Sequence, residues 1–468
     1  MNDRTDLAII GGGPAGMAAA EVASKAGLSV TIIDEQQRLG GQILRQPSKH
    51  FQVNNWLPGR VYNGVKAQLA RAEALPVHFL SGMSVHSAYR DTFGFDLQLA
   101  GPSGATHLPA KRLLIATGCY DMPVAFPGWT LPGITTAGAA QAFVKAQQIV
   151  PGDRFVLAGT HPLQIILAEQ ILKAGGRVEA VLFAQSITRS LRVLGAPVTA
   201  TAHLKLLAAA GNAMVRLLRA GVPVHFGQTI GKAEGLDRVE AATIVKVING
   251  VPGDKIGQIK CDAIATCFGF LPQCDLPRAL GAKAVAIPKT GGWRIVHDEW
   301  MFTGVDDLFV AGEVTGVAGA ESSMIEGRIA GLAVARSAGV MGDAEALRLV
   351  KPLRRRLASL RSFADLLSSI SDPSPLWMHL ASPDTILCRC EDLTRGAVTA
   401  TIDAHPTVDI NTIKKLTRAG MGRCQGRGCE HQIRALMGST APDQCFEARM
   451  PVRPTPIATI AAADEQPN

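Results

Sequence analysis

The segment DLAIIGGGPAGMAAAEVASKAGLSVTIIDEQ, close to the start of the chain, leaves few folds open to it. An apolar run from Asp6 to Ile10 meets three glycines at Gly11, Gly13 and Gly16. An alanine-rich stretch, Met17 to Ala26, follows, and a second apolar run, Leu28 to Ile33, ends on Asp34. The order is strand, tight turn, helix, strand. Gly11 permits the turn, Gly13 lets backbone N–H groups approach a pyrophosphate at the helix N-terminus, and Gly16 lets helix and strand pack closely. Pro14 and Ala15 belong to the same cradle. Asp34, 23 residues after Gly11, is placed to accept hydrogen bonds from a ribose, with Glu35 next to it. Glycines alone would indicate a turn; the ordered strand, helix and terminal acid predict a dinucleotide site.

Three further segments separate FAD from NAD. KRLLIATG ends an apolar strand on Ala116, Thr117 and Gly118; DDLFVAGEVTG ends another on Gly312 and Glu313; GGQ supplies Gly41 and Gln42. Together they resemble the FAD-binding segments of the two-dinucleotide-binding-domain flavoproteins, the glutathione and thioredoxin reductase class. That resemblance implies an α/β fold with Rossmann-like parallel sheets. In that class the late segment usually carries Asp against the ribityl chain, and here Glu313 stands in its place.

Residues 154–182, RFVLAGTHPLQIILAEQILKAGGRVEAVL, repeat the strand, turn, helix, strand pattern. In the reductase class this repeat binds NAD(P)H. Here the fingerprint reads Gly159, Thr160, His161, Pro162, Leu163, Gln164, so side chains stand where backbone should approach phosphate. The position equivalent to Asp34 is Leu182, which cannot hold a ribose hydroxyl. Proline at a helix start is harmless, so the fold is expected to survive without nicotinamide binding. The flavin dithiol of that class, commonly CxxC or CxxxxC, is absent from residues 40–50 and from the neighbourhood of 119. Cys119, Cys261, Cys267, Cys274 and Cys445 read as small buried hydrophobes.

Four of the nine cysteines fall in two tight pairs near the end, Cys388 and Cys390, then Cys424 and Cys429. The N-terminal MNDRTDLAII has charges of both signs and lacks the features of a signal peptide, which gives a cytoplasmic expectation. In that compartment thiols stay reduced, and paired cysteines serve metal or redox chemistry. Four thiolates can hold zinc or an iron–sulfur cluster. Zinc knuckles use CxxC pairs, whereas here 33 residues separate a CxC from a CxxxxC, with a helix expected in residues 408–422. Seven basic residues against four acids lie between Cys388 and Cys429, and with the N–H groups of Gly426 and Gly428 they would stabilise a reduced, more negative [2Fe–2S] cluster. The net charge of +8 is spread along the chain and only 5% of residues are aromatic, which argues against a nucleic-acid partner.

The C-terminal segment resembles the bacterioferritin-associated-ferredoxin type of [2Fe–2S] domain, a small and mostly helical unit. GGGPAGMAAA, IIDEQQRLGGQILRQP, ATGCYDMPVAFPGWTLPGITTAGAAQ and LTRAGMGRCQGRGC resemble one group in particular, the larger FAD-binding subunit of heteromeric amine and imino-acid dehydrogenases. This group includes opine oxidases, proline and hydroxyproline dehydrogenases and hydrogen cyanide synthase. The resemblance implies FAD, a [2Fe–2S] cluster, an FMN between subunits in some members and ATP in the second nucleotide fold in others. Its implied partners are a smaller FAD-containing catalytic subunit of the D-amino-acid-oxidase-like type and, in some members, a third, small ferredoxin-like chain. The implied electron acceptor is a quinone or another respiratory carrier, and the expected location is the cytoplasm, peripheral association with the inner membrane being left open. No acid, base or nucleophile is assigned in this chain. The expected division is 1–120 and 266–345 for the FAD-binding domain, 121–265 for the altered nucleotide fold, 346–382 for a basic helix and linker, 383–450 for the cluster domain and 451–468 for a tail. A self-contained NAD(P)H-dependent reductase and a zinc-bearing scaffold are the alternatives.

Overall fold

The computed structural model describes residues 4–464 except 55, 58, 60, 61, 103, 193–202 and 439–443. The first apolar run forms β1 (Thr5–Ile10), the alanine-rich stretch α1 (Pro14–Lys25) and the second run β2 (Val30–Asp34). Strand β3 (His78–Ser81) pairs parallel to β2. Strands β4 (Ser84–Asp91), β5 (Gly94–Gly101) and β6 (Gly104–Ile115) form an antiparallel meander. The long β6 does two jobs. Its first half pairs with β5, and its second half joins the parallel sheet beside β1, with Leu7 opposite Arg112 and Ile10 opposite Ile115.

The chain then builds a second parallel sheet from β7 (Ile134–Thr136), β8 (Arg154–Gly159), β9 (Arg177–Phe183), β10 (Val224–Phe226) and β11 (Ala263–Cys267), in the order β10-β9-β8-β11-β7. Helix α2 (Leu163–Lys173) connects β8 to β9, so the predicted repeat survives as a fold. An antiparallel sheet of three strands, Gln228–Glu234, Ala241–Ile248 and Val251–Lys260, is inserted before β11. The chain returns to the first sheet as β12 (Leu308–Val310), parallel to β6 with Leu308 opposite Leu113.

Helix α3 (Ala320–Ser337) closes the FAD-type fold by lying against α1. Two glycines make that approach possible: a Cβ on Gly327 would lie 2.1 Å from the carbonyl oxygen of Ala15, and one on Gly331 would lie 2.9 Å from that of Ala19. Helix α4 (Asp343–Ile370) is continuous through Pro352. Its basic stretch is not wholly a solvated face, because Arg361 reaches the buried Glu326 at 2.9 Å. The Pro-rich stretch expected as a connector opens a short helix, Ser374–Leu380.

The cluster domain has a small hairpin, Ile386–Cys388 with Leu393–Thr394, and helices Arg395–Ala404, Ile410–Thr417 and Glu430–Leu436. The predicted helix in 408–422 is shorter than expected. Asp409 caps it, accepting from Thr412 N at 2.9 Å, and it stops at Arg418, whose backbone is left-handed. Asn411, in the first turn, donates to the Cys445 carbonyl at 3.0 Å. The tail is anchored too: Val452 N donates to the His86 carbonyl, Arg453 pairs with Glu35, and a helix spans Ile457–Asp464. Among the described residues no helix is long and apolar enough to cross a membrane.

The α1–α3 contact gives a direct test. Gly327→Val should push α3 off α1 and destabilise the fold by ~1–3 kcal/mol, the usual cost of overpacking. Chemical denaturation should show a lower midpoint with an unchanged slope; an unaltered midpoint would contradict the packing described.

Candidate functional site: a dinucleotide groove and a four-cysteine loop

The predicted FAD segments, distant in sequence, converge on the N-terminus of α1. Gly11 N donates to the Ile33 carbonyl and Gly40 N to that of Gly12; Ala116 N donates to the Ile10 carbonyl and Ala311 N to that of Ile115. Asp34 accepts from Gly12 N through one oxygen and from Gln36 N through the other, both at 2.7 Å. Burial nonetheless holds its carboxyl above the ordinary range. The first-turn N–H groups of a helix have no acceptor within it, and here no side chain caps them. Gly11 and Gly16 are fixed by packing, since a Cβ would meet Ala116 O at 2.3 Å and Gly11 O at 2.0 Å respectively. Gly13 differs. A Cβ there meets only the Gly41 Cα, at 3.7 Å, so it would project into open groove beside the uncapped turn. That open space would suit a pyrophosphate, the ligand expected of Gly11, Gly13, Pro14, Ala15, Gly16, Asp34, Gly41 and Gln42.

The other predicted contacts are more varied. Thr117 Oγ1 donates to the Gln273 carbonyl, and Gly118 has a left-handed backbone with φ of 73°. Glu35 is engaged by Arg453 of the tail. Glu313 is half-buried, its carboxylate accepting from the Cys119 thiol at 2.5 Å and from Gly319 N at 3.1 Å. Burial raises both groups above their ordinary ranges, and each carries the other's effect. Cys119 is therefore a hydrogen-bond donor rather than a mere apolar filler, and Cys274 likewise donates to the Trp293 carbonyl at 3.2 Å.

Glu326 is not legible in the sequence. Only 1% exposed, it accepts from Gly312 N at 2.9 Å, Thr315 Oγ1 at 2.8 Å and Arg361 at 2.9 Å. One carboxylate thus fixes the turn at Gly312, whose φ of 82° suits glycine. Its only signal is an acid at a helical position otherwise filled by small and apolar residues.

In the second fold, Gly159 keeps its packing role, with a Cβ 2.0 Å from the Cys267 carbonyl. His161 is half-buried, edge-on to Phe270 at 5.1 Å, and desolvation lowers its pKa to about 4, so it is neutral. Gln164 fills the place of the third glycine. After β9, Arg189 donates to the Ser369 carbonyl at 2.8 Å and pairs with Asp372 at 3.6 Å, which ties this fold to the end of α4.

The four cysteines of the loop meet as two hydrogen-bonded pairs, Cys388 with Cys429 and Cys390 with Cys424. Donation from the Cys429 thiol, then from the N–H groups of Gly420, Glu391 and Cys390, lowers the Cys388 pKa to about 6, while Cys429 is pushed far up. Gly426 and Gly428 direct their N–H groups at Cys424, as expected. No three metal-binding side chains among the described residues close around one point. Two sulfur pairs suit a two-iron cluster, with two thiolates to each iron, better than a single tetrahedral zinc ion. The basic surplus is partly neutralised, because Arg418 pairs with Glu391 at 3.0 Å and Arg427 with Asp275 at 2.6 Å.

The cluster loop is not a detached module. The helix that starts after Cys429 buries polar side chains against the flavoprotein fold: Glu430 accepts from Trp293 Nε1 at 2.7 Å, His431 Nε2 donates to the Pro123 carbonyl at 2.9 Å, and Gln432 accepts from Ala125 N at 3.1 Å. Trp129, in the FPGWTLPG run, donates to the Ile386 carbonyl at 2.6 Å.

Known proteins share both halves of this arrangement. Residues 5–339 match the pyridine nucleotide-disulphide oxidoreductase family, and residues 386–439 the BFD-like [2Fe-2S] binding domain. The chain belongs to that oxidoreductase family. The corresponding chain of opine oxidase from Agrobacterium tumefaciens is 31% identical over 98% of this chain and 92% of its own length. Hydrogen cyanide synthase subunit HcnB of Pseudomonas aeruginosa is 30% identical over 90% of each. Among solved structures, L-proline dehydrogenase from P. horikoshii shares the fold, with a TM-score of 0.70 at 18% identity, covering 97% of this chain and 79% of that one. This member of the oxidoreductase family is a flavoprotein with a [2Fe–2S] domain, and its cofactors are FAD and the cluster.

The contrast between two glycines yields a prediction. Gly13→Val should leave the apo fold within ~1 kcal/mol of the native stability, since it opens into the groove, yet abolish FAD binding by occupying the pyrophosphate's place. A purified variant that kept the yellow flavin absorbance at full stoichiometry would refute the assignment.

Proposed function

We propose that this chain is the electron-transfer subunit of a heteromeric dehydrogenase acting on an amine or secondary amine of the opine, proline or hydroxyproline type. Hydride removal from the substrate carbon falls to a smaller FAD-containing, D-amino-acid-oxidase-like partner, and the electrons leave this chain for a quinone or another acceptor. FAD supplies two-electron acceptance and the [2Fe–2S] cluster one-electron transfer. Glycine oxidation, as the likeness to hydrogen cyanide synthase suggests, is the alternative substrate chemistry.

The observation that carries this reading is the seating of the cluster loop. Cys429 leads directly into the helix bonded to Trp293, Pro123 and Ala125, and Pro123 and Ala125 lie a few residues beyond the Thr117–Gly118 segment of the dinucleotide groove. Both redox sites would thus share one continuous packed body. Cys390 is exposed while Cys388 and Cys429 are buried, which leaves one edge of the cluster open to an acceptor. The remaining routes are blocked: no CxxC faces the groove, and the second fingerprint carries Thr160, His161 and Pro162.

Two measurements test it. Cys424→Ser should remove iron and acid-labile sulfide, retain FAD and lose turnover with the native acceptor, while a dye that takes electrons from flavin should still be reduced. A wild-type protein containing one zinc and no sulfide would exclude the reading. Stoichiometric NADH under anaerobic conditions should leave the flavin absorbance unbleached over the time in which the amine substrate bleaches the complex. Fast bleaching by NADH would instead favour a self-contained reductase.

A further inference from the structure

Lys145 is the most costly charge in the molecule to explain. It is 4% exposed and lies on a π-helical segment, Phe143–Gln147, a geometry that recurs at functional sites. Its ammonium donates to the Gln42 carbonyl at 2.8 Å, the Ile43 carbonyl at 3.3 Å and Gln141 Oε1 at 2.7 Å, so a side chain of the second fold reaches into the GGQ loop of the first. All three acceptors are neutral. The acid nearest in effect, Asp121, is already occupied by Thr136 Oγ1 at 2.8 Å and Gly138 N at 3.0 Å. Burial, and then the positive charge of Arg45, lower the Lys145 pKa to about 7.

Arg45 has the same difficulty. Its field reaches Asp34 on one side and Lys145 on the other, it forms no ion pair among the described residues, and its buried Nε has no hydrogen-bond partner. Two like charges side by side, neither joined to an acid in an ion pair among the described residues, disfavour the folded state, and an anion between them would relieve that cost. The place they flank is the GGQ loop, beside Gly13 and its uncapped helix turn.

We infer that Arg45 and Lys145 are a cationic clamp for the diphosphate of FAD, completing from the side a site that α1 and Gly13 build from below. A guanidinium with an unused Nε–H suits this ligand, since it makes charge-assisted hydrogen bonds to phosphate oxygens, while Lys145, its three N–H groups already donated to Gln42, Ile43 and Gln141, adds its positive field and holds the GGQ loop in place. Because Lys145 comes from the second fold, dinucleotide binding also ties the two folds together. The clamp rests on the reading that FAD occupies this groove.

The test uses full-length protein stripped of FAD, titrated calorimetrically with FAD, ADP and adenosine. Arg45→Met and Lys145→Met should each weaken FAD and ADP by about tenfold or more, the usual worth of a charged hydrogen bond, and leave adenosine binding unchanged. Lys145→Arg, which keeps the charge, should retain most of the FAD affinity. Wild-type FAD affinity in either methionine variant would overturn the clamp, and so would an equal loss for adenosine, which marks damage to the groove rather than loss of charge. If the wild-type protein itself failed to take up FAD, the groove assignment would fall instead, so the two failures are distinguishable.

Discussion

The carbonyl oxygen of Ala15 sits where a Cβ of residue 327 would otherwise be, and much of the molecule depends on that contact. Because α3 can lie directly on α1, Glu326 reaches under the turn at Gly312 and holds it through two hydrogen bonds. That turn and the N-terminus of α1 face the same groove. A slightly larger separation would leave a buried carboxylate short of its partners, and an unsatisfied group of that kind costs more than a made hydrogen bond gains. The close packing of small residues and the buried acid are therefore one device. Arg361, reaching back from α4, completes it by balancing the charge of Glu326.

The second fold keeps the packing constraints of a nucleotide fold while side chains stand at its fingerprint positions. Gly159 stays because the Cys267 carbonyl leaves no room for a side chain. The fingerprint positions carry Thr160, a neutral, half-buried His161 and Gln164, and the C-terminal chain holds Arg189 through Ser369 and Asp372. This fold also supports the rest of the molecule. It supplies Lys145 to the first groove and, through the FPGWTLPG run, a seat for the cluster domain.

How much of this is legible in the sequence depends on whether a residue's role is set by backbone or by tertiary contact. The glycine fingerprint, its terminal acid, the altered repeat and the four cysteines are local patterns; the structure forms both repeats as strand, turn, helix and strand and joins the cysteines as two pairs. Glu326, Lys145 and the polar face of Glu430, His431 and Gln432 escape such reading because their partners lie far away in sequence, and hydropathy alone assigns such residues to solvent. The same limit explains why Arg361 reads as part of an exposed basic run and why the stretch around Pro373 reads as a connector. Glu313 stands out in the right segment but for an incomplete reason. Its carboxylate is turned to Cys119 and Gly319, contacts that no spacing announces.

Strand β12 carries a temporal consequence. Because Leu308–Val310 pairs with the second half of β6, the sheet begun by residue 5 cannot be finished until residue 310 has been made. All five strands of the second parallel sheet lie between residues 134 and 267, so that sheet is available for closure while the first is still missing a strand. On the ribosome, where domains generally fold as units in the order of synthesis, this chain inverts the order. The inner, inserted unit matures first, and the groove that opens with the N-terminal glycines is among the last parts of the molecule to exist.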